Sequence, residues 1–396
     1  MYSSAKLLTD KYDIKLAVAA VGSDCGLQAF DIDSFRYYLL PLKTNPVDYK
    51  KGLEKYWQQI KTDFQPDVVH IHGTEFTHGL AYLKSCEVNN VVISIQGLVS
   101  VCERYYYADM SVGDILKNIS FRDLIRNNNI FQQKNSFKKR GCWEKEYILS
   151  APYVIGRTSW DKIHVKTVNP EVRYCFCDET LRPSFYSGYW KKENCVPHSI
   201  FCSQASYPIK GLHQVLKALP LILRVYPDTK LYISGTNILQ RNSLISKIKF
   251  SGYARYIRKL INKSGLDKHI VFLGMLDEKA MYGQYLKSHV FVCPSSIENS
   301  PNSLGEAQLL GVPCVASYVG GVPDMVEPGK DGLLYRFEEY EMMAHHICAV
   351  FADNELAELL SANARKVAAL RHDPAKCRDR LFQIYQEVSG QDVDHI

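Results

Sequence analysis

Strand and helix signatures alternate along this chain on both sides of one aperiodic stretch. That pattern predicts an α/β protein of two Rossmann-like domains with a cleft between them. The 396 residues are long for one domain and natural for two. The stretch Asp178–Pro197 holds Pro183, Gly188 and Pro197 with little periodicity, and it is the predicted interdomain linker.

The first domain opens on Ala5–Tyr12, which reads as the tail of a helix, and then Ile14–Val21, which reads as a strand. A doubly wound domain normally opens on a strand and a glycine-bearing turn. The expectation is that the first strand is missing, through truncation or a late start codon. A stop codon directly before Met1 in every close relative would sink that idea. In Tyr49–Phe64 the residues Leu53, Tyr56, Trp57, Ile60 and Phe64 recur at helical spacing, and Pro66-Asp67 breaks the run. Val68–His72 follows as a strand. His72, by alternation, points either to the ligand crevice or into a structural hydrogen bond. Val91–Ile95 is another strand, ending in Gln96-Gly97. Residues Val101–Tyr147 are less regular, with Lys134, Lys138, Lys139 and Arg140 beside Phe131, Phe137 and Trp143. Such a cluster suits either an anionic bilayer surface or a solvated basic helix face. No binding motif for nucleic acid accompanies it. Tyr153–Ile155 and Val172–Phe176 are the remaining strands.

The second domain has strands at Ser199–Cys202, Lys230–Ser234 and Ile270–Leu273. Leu212, Val215, Leu216, Leu219, Ile222 and Leu223 form the apolar face of a helix. Lys210 stands at the start of that helix, where positive charge opposes the dipole, and this hints at a bound anion. Arg241–Lys263 reads as a basic helical face over Tyr253, Ile257, Leu260 and Ile261. Asp277–Lys287 is a helix, and Glu338–Phe351, Glu355–Arg371 and Lys376–Val388 are three more.

The richest stretch is Val290–Tyr335. It runs from a strand, Val290–Cys293, through a polar loop to a helix that stops at Gly311 and Pro313, and on to a strand at Cys314–Ser317. Asn299, Ser300, Asn302 and Ser303 are capping residue types, and Pro301 suits a first helical turn. Free backbone N–H groups at such an entrance suit an anion such as a diphosphate. Glu298 in the loop and Glu306 in the helix, with seven residues between them, can accept hydrogen bonds from sugar hydroxyls. Spacing alone favours the plainer reading, a solvated loop glutamate plus a capping or surface glutamate.

Pro294-Ser295, Glu298, Glu306-Ala307, Gly311-Val312-Pro313, Val315-Ala316-Ser317, Gly320-Gly321, and Gly329 followed by Gly332-Leu333-Leu334 occur in this order. The block resembles the signature of glycosyltransferase family 4 (group 1), retaining nucleotide-sugar enzymes of GT-B fold. The resemblance covers most of Ser199–Val388 strongly and the first domain loosely. It implies a first domain over 1–182 on the acceptor side, completed by a terminal helix over 373–393 that crosses back, and a nucleotide-sugar domain over 183–372. It implies that Glu298 orients the sugar, Glu306 the ribose, and that Lys210-Gly211 with the helix entrance at Asn302, Ser303 and Leu304 grips the diphosphate. Gly320-Gly321 would let backbone approach the ligand, and Met275 and Leu276 would touch the base. The family's arginine before the lysine is replaced here by Ser203-Gln204. Its histidine near the transferred sugar is replaced by Gln96, which can hydrogen-bond but cannot titrate. With Glu298, His72 and Gln96 complete the implied catalytic set.

The expected function is therefore transfer of a sugar from a nucleoside-diphosphate sugar, without a metal or other cofactor, to a glycan or lipid-linked acceptor in bacterial cell-surface polysaccharide synthesis. The expected location is cytoplasmic, peripheral at the inner membrane face. A net charge of +6 allows contact with anionic lipid without demanding nucleic acid. Twelve cysteines, with no paired C-x-x-C, point to reduced thiols rather than a disulfide framework or metal site. Two rivals stand beside this reading: a sugar-nucleotide epimerase, and a degenerate sugar-nucleotide binder without transferase activity.

Overall fold

The computed structural model describes residues 2–22, 26–42, 47–204, 206–239 and 250–390. The chain divides into two compact units. One is Met1–Glu103, Ser136–Thr180 and His372–Ile396; the other is Arg104–Asn135 and Leu181–Arg371. The start of the predicted basic helical stretch, residues 241–249, and the end of the terminal helix, 391–393, lie outside the described residues.

In the first unit a helix, Tyr2–Lys11, precedes β1 (Leu16–Val21), β2 (Gln28–Ile32) and β3 (Phe35–Leu40). These form a three-stranded sheet in which β1 lies parallel and β2 antiparallel to β3. The β2–β3 hairpin is not legible in the sequence, because every residue of β2 is exposed and no alternation marks it. Then come β4 (Val69–His72), β5 (Val91–Ser94), β6 (Tyr153–Gly156) and β7 (Arg173–Phe176), a parallel sheet in chain order. A parallel sheet needs both faces covered. Val91 and Ile93 turn to a cluster with Leu80, Tyr147 and Val165, whereas Val92 turns to one with Ile384 and Val388. The last two belong to the terminal helix Pro374–Ser389, so that helix closes the far face of the first unit's sheet, as the resemblance implied.

The second unit carries six parallel strands: β8 (Val196–Cys202), β9 (Lys230–Ser234), β10 (Ile270–Gly274), β11 (Ser288–Cys293), β12 (Cys314–Ser317) and β13 (Leu333–Tyr335). Their order is β10-β9-β8-β11-β12-β13. The helices Leu212–Leu223 and Tyr340–Ala352 pack on each other, as do Asn302–Leu310 and Asn354–Arg371.

Residues Arg104–Asn135, which the sequence reading assigns to the first domain, pack in the second unit instead. Polar pairs hold them there. The Gly252 N–H donates to buried Asp123 Oδ2 at 2.7 Å, and the Arg255 guanidinium donates to the Ile119 carbonyl at 2.9 Å. His213 Nε2 lies 2.6 Å from the Ala108 carbonyl oxygen. Most of the predicted linker is also built into this unit. Trp190 is fully buried and its indole N–H donates to the Ser288 carbonyl at 2.8 Å. Loss of periodicity there reflects short turns at Pro183–Tyr186 and Lys192–Asn194 rather than loose chain.

Candidate functional site

Strand order reverses between β8 and β11: the chain leaves β8 toward β9 and β10 and returns to place β11 on β8's other side. Loops beyond the carboxyl ends of such a pair diverge and leave a crevice. Gln204 follows β8 and is exposed. The turn Pro208–Lys210 and Gly211 come next, ahead of the helix Leu212–Leu223. Beyond β11 runs the loop from Pro294 to Pro301. The two loops are stitched together, since the Ser296 N–H donates to the Ile209 carbonyl at 2.8 Å. Gly211 has φ +69° and faces the Pro294 carbonyl so closely that any Cβ would strike it.

That approach sets Lys210 against Glu298. Lys210 Nζ donates to Glu298 Oε1 at 2.5 Å, and Ser295 Oγ donates to the same oxygen at 2.7 Å. Burial acts to lower the Lys210 pKa, but the adjacent Glu298 carboxylate more than offsets it and the pKa ends raised. The charge misfit seen in the sequence is thus answered inside the chain by a carboxylate. An ammonium has three donors, so the pair still leaves Lys210 able to meet an anion. The Glu298 loop is held from the other side by the glycine pair. The Gly321 N–H donates to the Glu298 carbonyl at 3.0 Å. Gly320, at φ +53°, lies where a Cβ would collide with that carbonyl oxygen. These glycines therefore position the glutamate's backbone.

The helix Asn302–Leu310 starts one residue later than the sequence suggests: Pro301 is its N-cap, and no side chain caps it. Its first N–H groups point out of the helix end, as in any helix. Asn302 is exposed and Ser303 half-buried, while Leu304 is fully buried with its N–H bonded to the Pro301 carbonyl at 2.9 Å. Leu304 is thus a packing residue, and only Asn302 and Ser303 stand at the entrance. Glu306 is buried in the next turn and meets a residue that motif reading passed over. Arg182 Nε and NH2 donate to its two oxygens at 2.7 and 2.8 Å. Burial pushes the Glu306 pKa up, and Arg182 opposes the rise. The signal available was an arginine in an aperiodic stretch, too common to single out.

Met275 and Leu276 follow β10, with Met275 80% exposed and Leu276 half-buried. The Gly235 N–H bonds the Gly274 carbonyl at 2.9 Å, joining the ends of β9 and β10. Taken together, the carboxyl edge of this sheet offers a cation, a helix N-terminus and two glutamates, which suits a ligand with anionic groups and several hydroxyls.

In the first unit, His72 ends β4 and stacks on His70 at 3.8 Å. His70 is the structural histidine: its nitrogens meet Ser94 Oγ at 2.5 Å and the Tyr385 hydroxyl at 2.7 Å. His72 is exposed. Gln96 lies beyond β5 in a charged network. Its amide donates to Glu179 Oε1 at 3.0 Å, and Arg157 NH2 donates to its carbonyl groups at 3.2 and 3.3 Å. Arg157 is buried and pairs with Glu179 at 2.8 Å. Glu144, also unread in the sequence, is fully buried and accepts from the N–H groups of Val99 and Ser100 at 2.8 and 3.0 Å. Burial pushes its pKa up to about 7 against those donors. Among the described residues, no group of three or more His, Cys, Asp and Glu side chains is gathered as metal ligands would be.

Residues 196–367 match the model of the family described as glycosyl transferases group 1. Spore coat protein SA of Bacillus subtilis (strain 168) is 27% identical over 182 residues, covering 45% of this chain and 46% of that protein. The GDP-mannose-dependent alpha-(1-6)-phosphatidylinositol monomannoside mannosyltransferase of Mycolicibacterium smegmatis is 24% identical over 199 residues, 48% of each chain. The match thus spans about half the length of these curated relatives. The solved structure of sucrose-phosphate synthase from Thermosynechococcus elongatus superposes with a TM-score of 0.71 at 16% identity, covering 98% of this chain and 92% of that one. This likeness shows the fold, GT-B with two Rossmann-like domains.

Proposed function

We propose that this chain, whose residues 196–367 match the model of the glycosyl transferases group 1 family, is a retaining, metal-independent hexosyltransferase using a nucleoside-diphosphate sugar. The observation that carries the reading is the convergence of Lys210, Glu298 and the Asn302–Leu310 entrance at the β8/β11 switch point. The C1–O bond to the diphosphate breaks with its electron pair going to the leaving oxygen. The acceptor hydroxyl forms a new C1–O bond on the same face, and its proton passes to the diphosphate. Lys210 and the N–H groups at Asn302 and Ser303 stabilise the charge that develops on that diphosphate. Glu298 orients the sugar, and Glu306 the ribose. Gln204, Gly211, Met275, Leu276, Gly320 and Gly321 complete the donor contacts. His72 and Gln96 act on the acceptor side, where Gln96 serves by hydrogen bonding rather than proton transfer.

The acceptor class is a glycan or a lipid-linked sugar of a bacterial surface polysaccharide, with a protein working at a cytoplasmic membrane face. The mannosyltransferase relative, whose name specifies a phosphatidylinositol mannoside, supports the lipid-linked alternative. No described helix is long and apolar enough to cross a membrane. Support for surface contact comes from Val112, Leu116, Phe121, Leu124 and Ile125, all exposed, with Lys117, Arg122 and Arg126 among them in sequence. The aromatics of the basic cluster read from sequence support it less. Phe131 packs on Tyr107, Trp143 on Tyr49, and Phe137 lies under Arg140.

The test is a panel of UDP-, GDP- and ADP-sugars, following binding and nucleotide release with and without acceptor extracts. Release that depends on one donor and on extract is the expected result. Binding without release, indifferent to acceptor, would favour the second reading, a degenerate sugar-nucleotide binder. The replacement of a titratable histidine by Gln96, tied to Arg157 and Glu179, is what keeps that reading in view.

A further inference from the structure

The geometry points to Arg182 as the positioning residue that keeps Glu306 ionised and aimed for the vicinal diol of a ribose, an inference that rests on the donor site proposed above. Glu306 sits 6% exposed inside the helix Asn302–Leu310, an environment that favours a neutral carboxyl. A second carboxylate, Glu278, adds to that pressure. Arg182 answers both. Its two-pronged contact, at 2.7 and 2.8 Å, places one N–H on each carboxylate oxygen. A carboxylate has about four lone-pair sites, so the fork leaves one on each oxygen. Two adjacent acceptors of this kind suit two adjacent hydroxyls.

The arginine is itself held in place. Its guanidinium lies 4.5 Å from the centroid of Phe185, a fully buried ring packed edge-on to Tyr285 at 5.8 Å. Ser184, two residues on, donates its N–H and hydroxyl to Glu278 at 3.3 and 2.6 Å. That clamp fixes the turn Pro183–Tyr186 and directs Glu278 to Ser184. The Tyr285 hydroxyl in turn donates to the Ser303 carbonyl at 2.9 Å, at the helix start proposed for the diphosphate. Arg182 thus links the two halves of the nucleotide grip without having to touch the ligand.

The test is calorimetric titration with UDP, GDP and ADP, and with the 2′,3′-dideoxy form of whichever binds, between about pH 7 and 9. Wild type should prefer the diol nucleotide with little pH dependence across that range. Arg182→Gln should lose at least tenfold in affinity near pH 7 and bind more tightly as pH rises, as Glu306 ionises without help. Arg182→Lys, which keeps the charge, should restore the flat profile. In a Glu306→Gln background, Arg182→Gln should add no pH dependence. An Arg182→Gln variant that melts like wild type and binds with an unchanged, flat profile overturns this inference alone. A Glu306→Gln variant that keeps the wild-type preference for the diol overturns the ribose reading itself.

Discussion

Replacing Lys210 by Met should damage nucleotide binding more than it damages the fold. The ammonium and Glu298 are 2.5 Å apart, with side chains 21% and 15% exposed. Unit charges at that distance attract by roughly 6–7 kcal/mol at an effective dielectric constant of about 20. Most of this is offset by the cost of desolvating both groups, and Ser295 remains on Glu298 after the change. The net stability loss is therefore about 1–3 kcal/mol. Binding loses a charge-assisted hydrogen bond, about 1.5–3 kcal/mol, or roughly 10- to 150-fold. It also meets Glu298 unneutralised near the incoming diphosphate, which moves the expectation to the upper end of that range. Isothermal titration with the free nucleoside diphosphate measures this. Adding Glu298→Gln to Lys210→Met should recover part of the loss, because the stranded charge is then gone. Glu298→Gln alone should weaken the sugar nucleotide more than the free diphosphate, since its proposed partner is the sugar. A Lys210→Met protein that binds the diphosphate within about threefold of wild type, at matched folding, would refute the reasoning.

The buried Glu144 makes a second, pH-dependent prediction. Its pKa rises from 4.5 in the unfolded chain to about 7 when buried. The folded state then binds more protons between those values, so this group's contribution to stability is present below about 4.5 and is lost as pH climbs to about 7. The span corresponds to on the order of 3 kcal/mol. Buried His70, whose pKa burial drives well below 6.5, works the opposite way, so the comparison must be with a variant. Denaturant titrations at a series of pH values should show the slope difference between wild type and Glu144→Gln; parallel curves would deny the shift. For the exposed apolar residues, Leu116→Asp combined with Ile125→Asp should reduce co-sedimentation with phosphatidylglycerol vesicles severalfold while leaving nucleotide binding intact. Equal sedimentation of both proteins would remove the membrane assignment.

Much of the second unit was legible because its strands are buried on both faces and read as unbroken apolar runs, as in Val290–Cys293 and Cys314–Ser317. The helices of that unit carry their own stops, such as Gly311 at φ +74°. The hairpin of β2 and β3 was hidden by an exposed strand, and the helices at Val112–Asn118 and Phe121–Ile125 by apolar residues on the face that lacks a core. Burial is what writes periodicity into sequence, and where it is absent the pattern fails.

The sequence by itself determined the α/β alternation, the strand–loop–helix–strand block from Val290 to Ser317, and the pair Glu298 and Glu306 as residues to watch. It could not say what those carboxylates meet, because ion pairs join residues far apart in the chain. Only the tertiary structure decided that Glu298 faces Lys210 and Glu306 faces Arg182, partners that stand 88 and 124 positions apart in the chain. The physical reason lies in topology. The reversal of strand order between β8 and β11 brings two distant loops to one sheet edge, and Gly211 and Gly320, free of Cβ atoms, let their backbones close to contact.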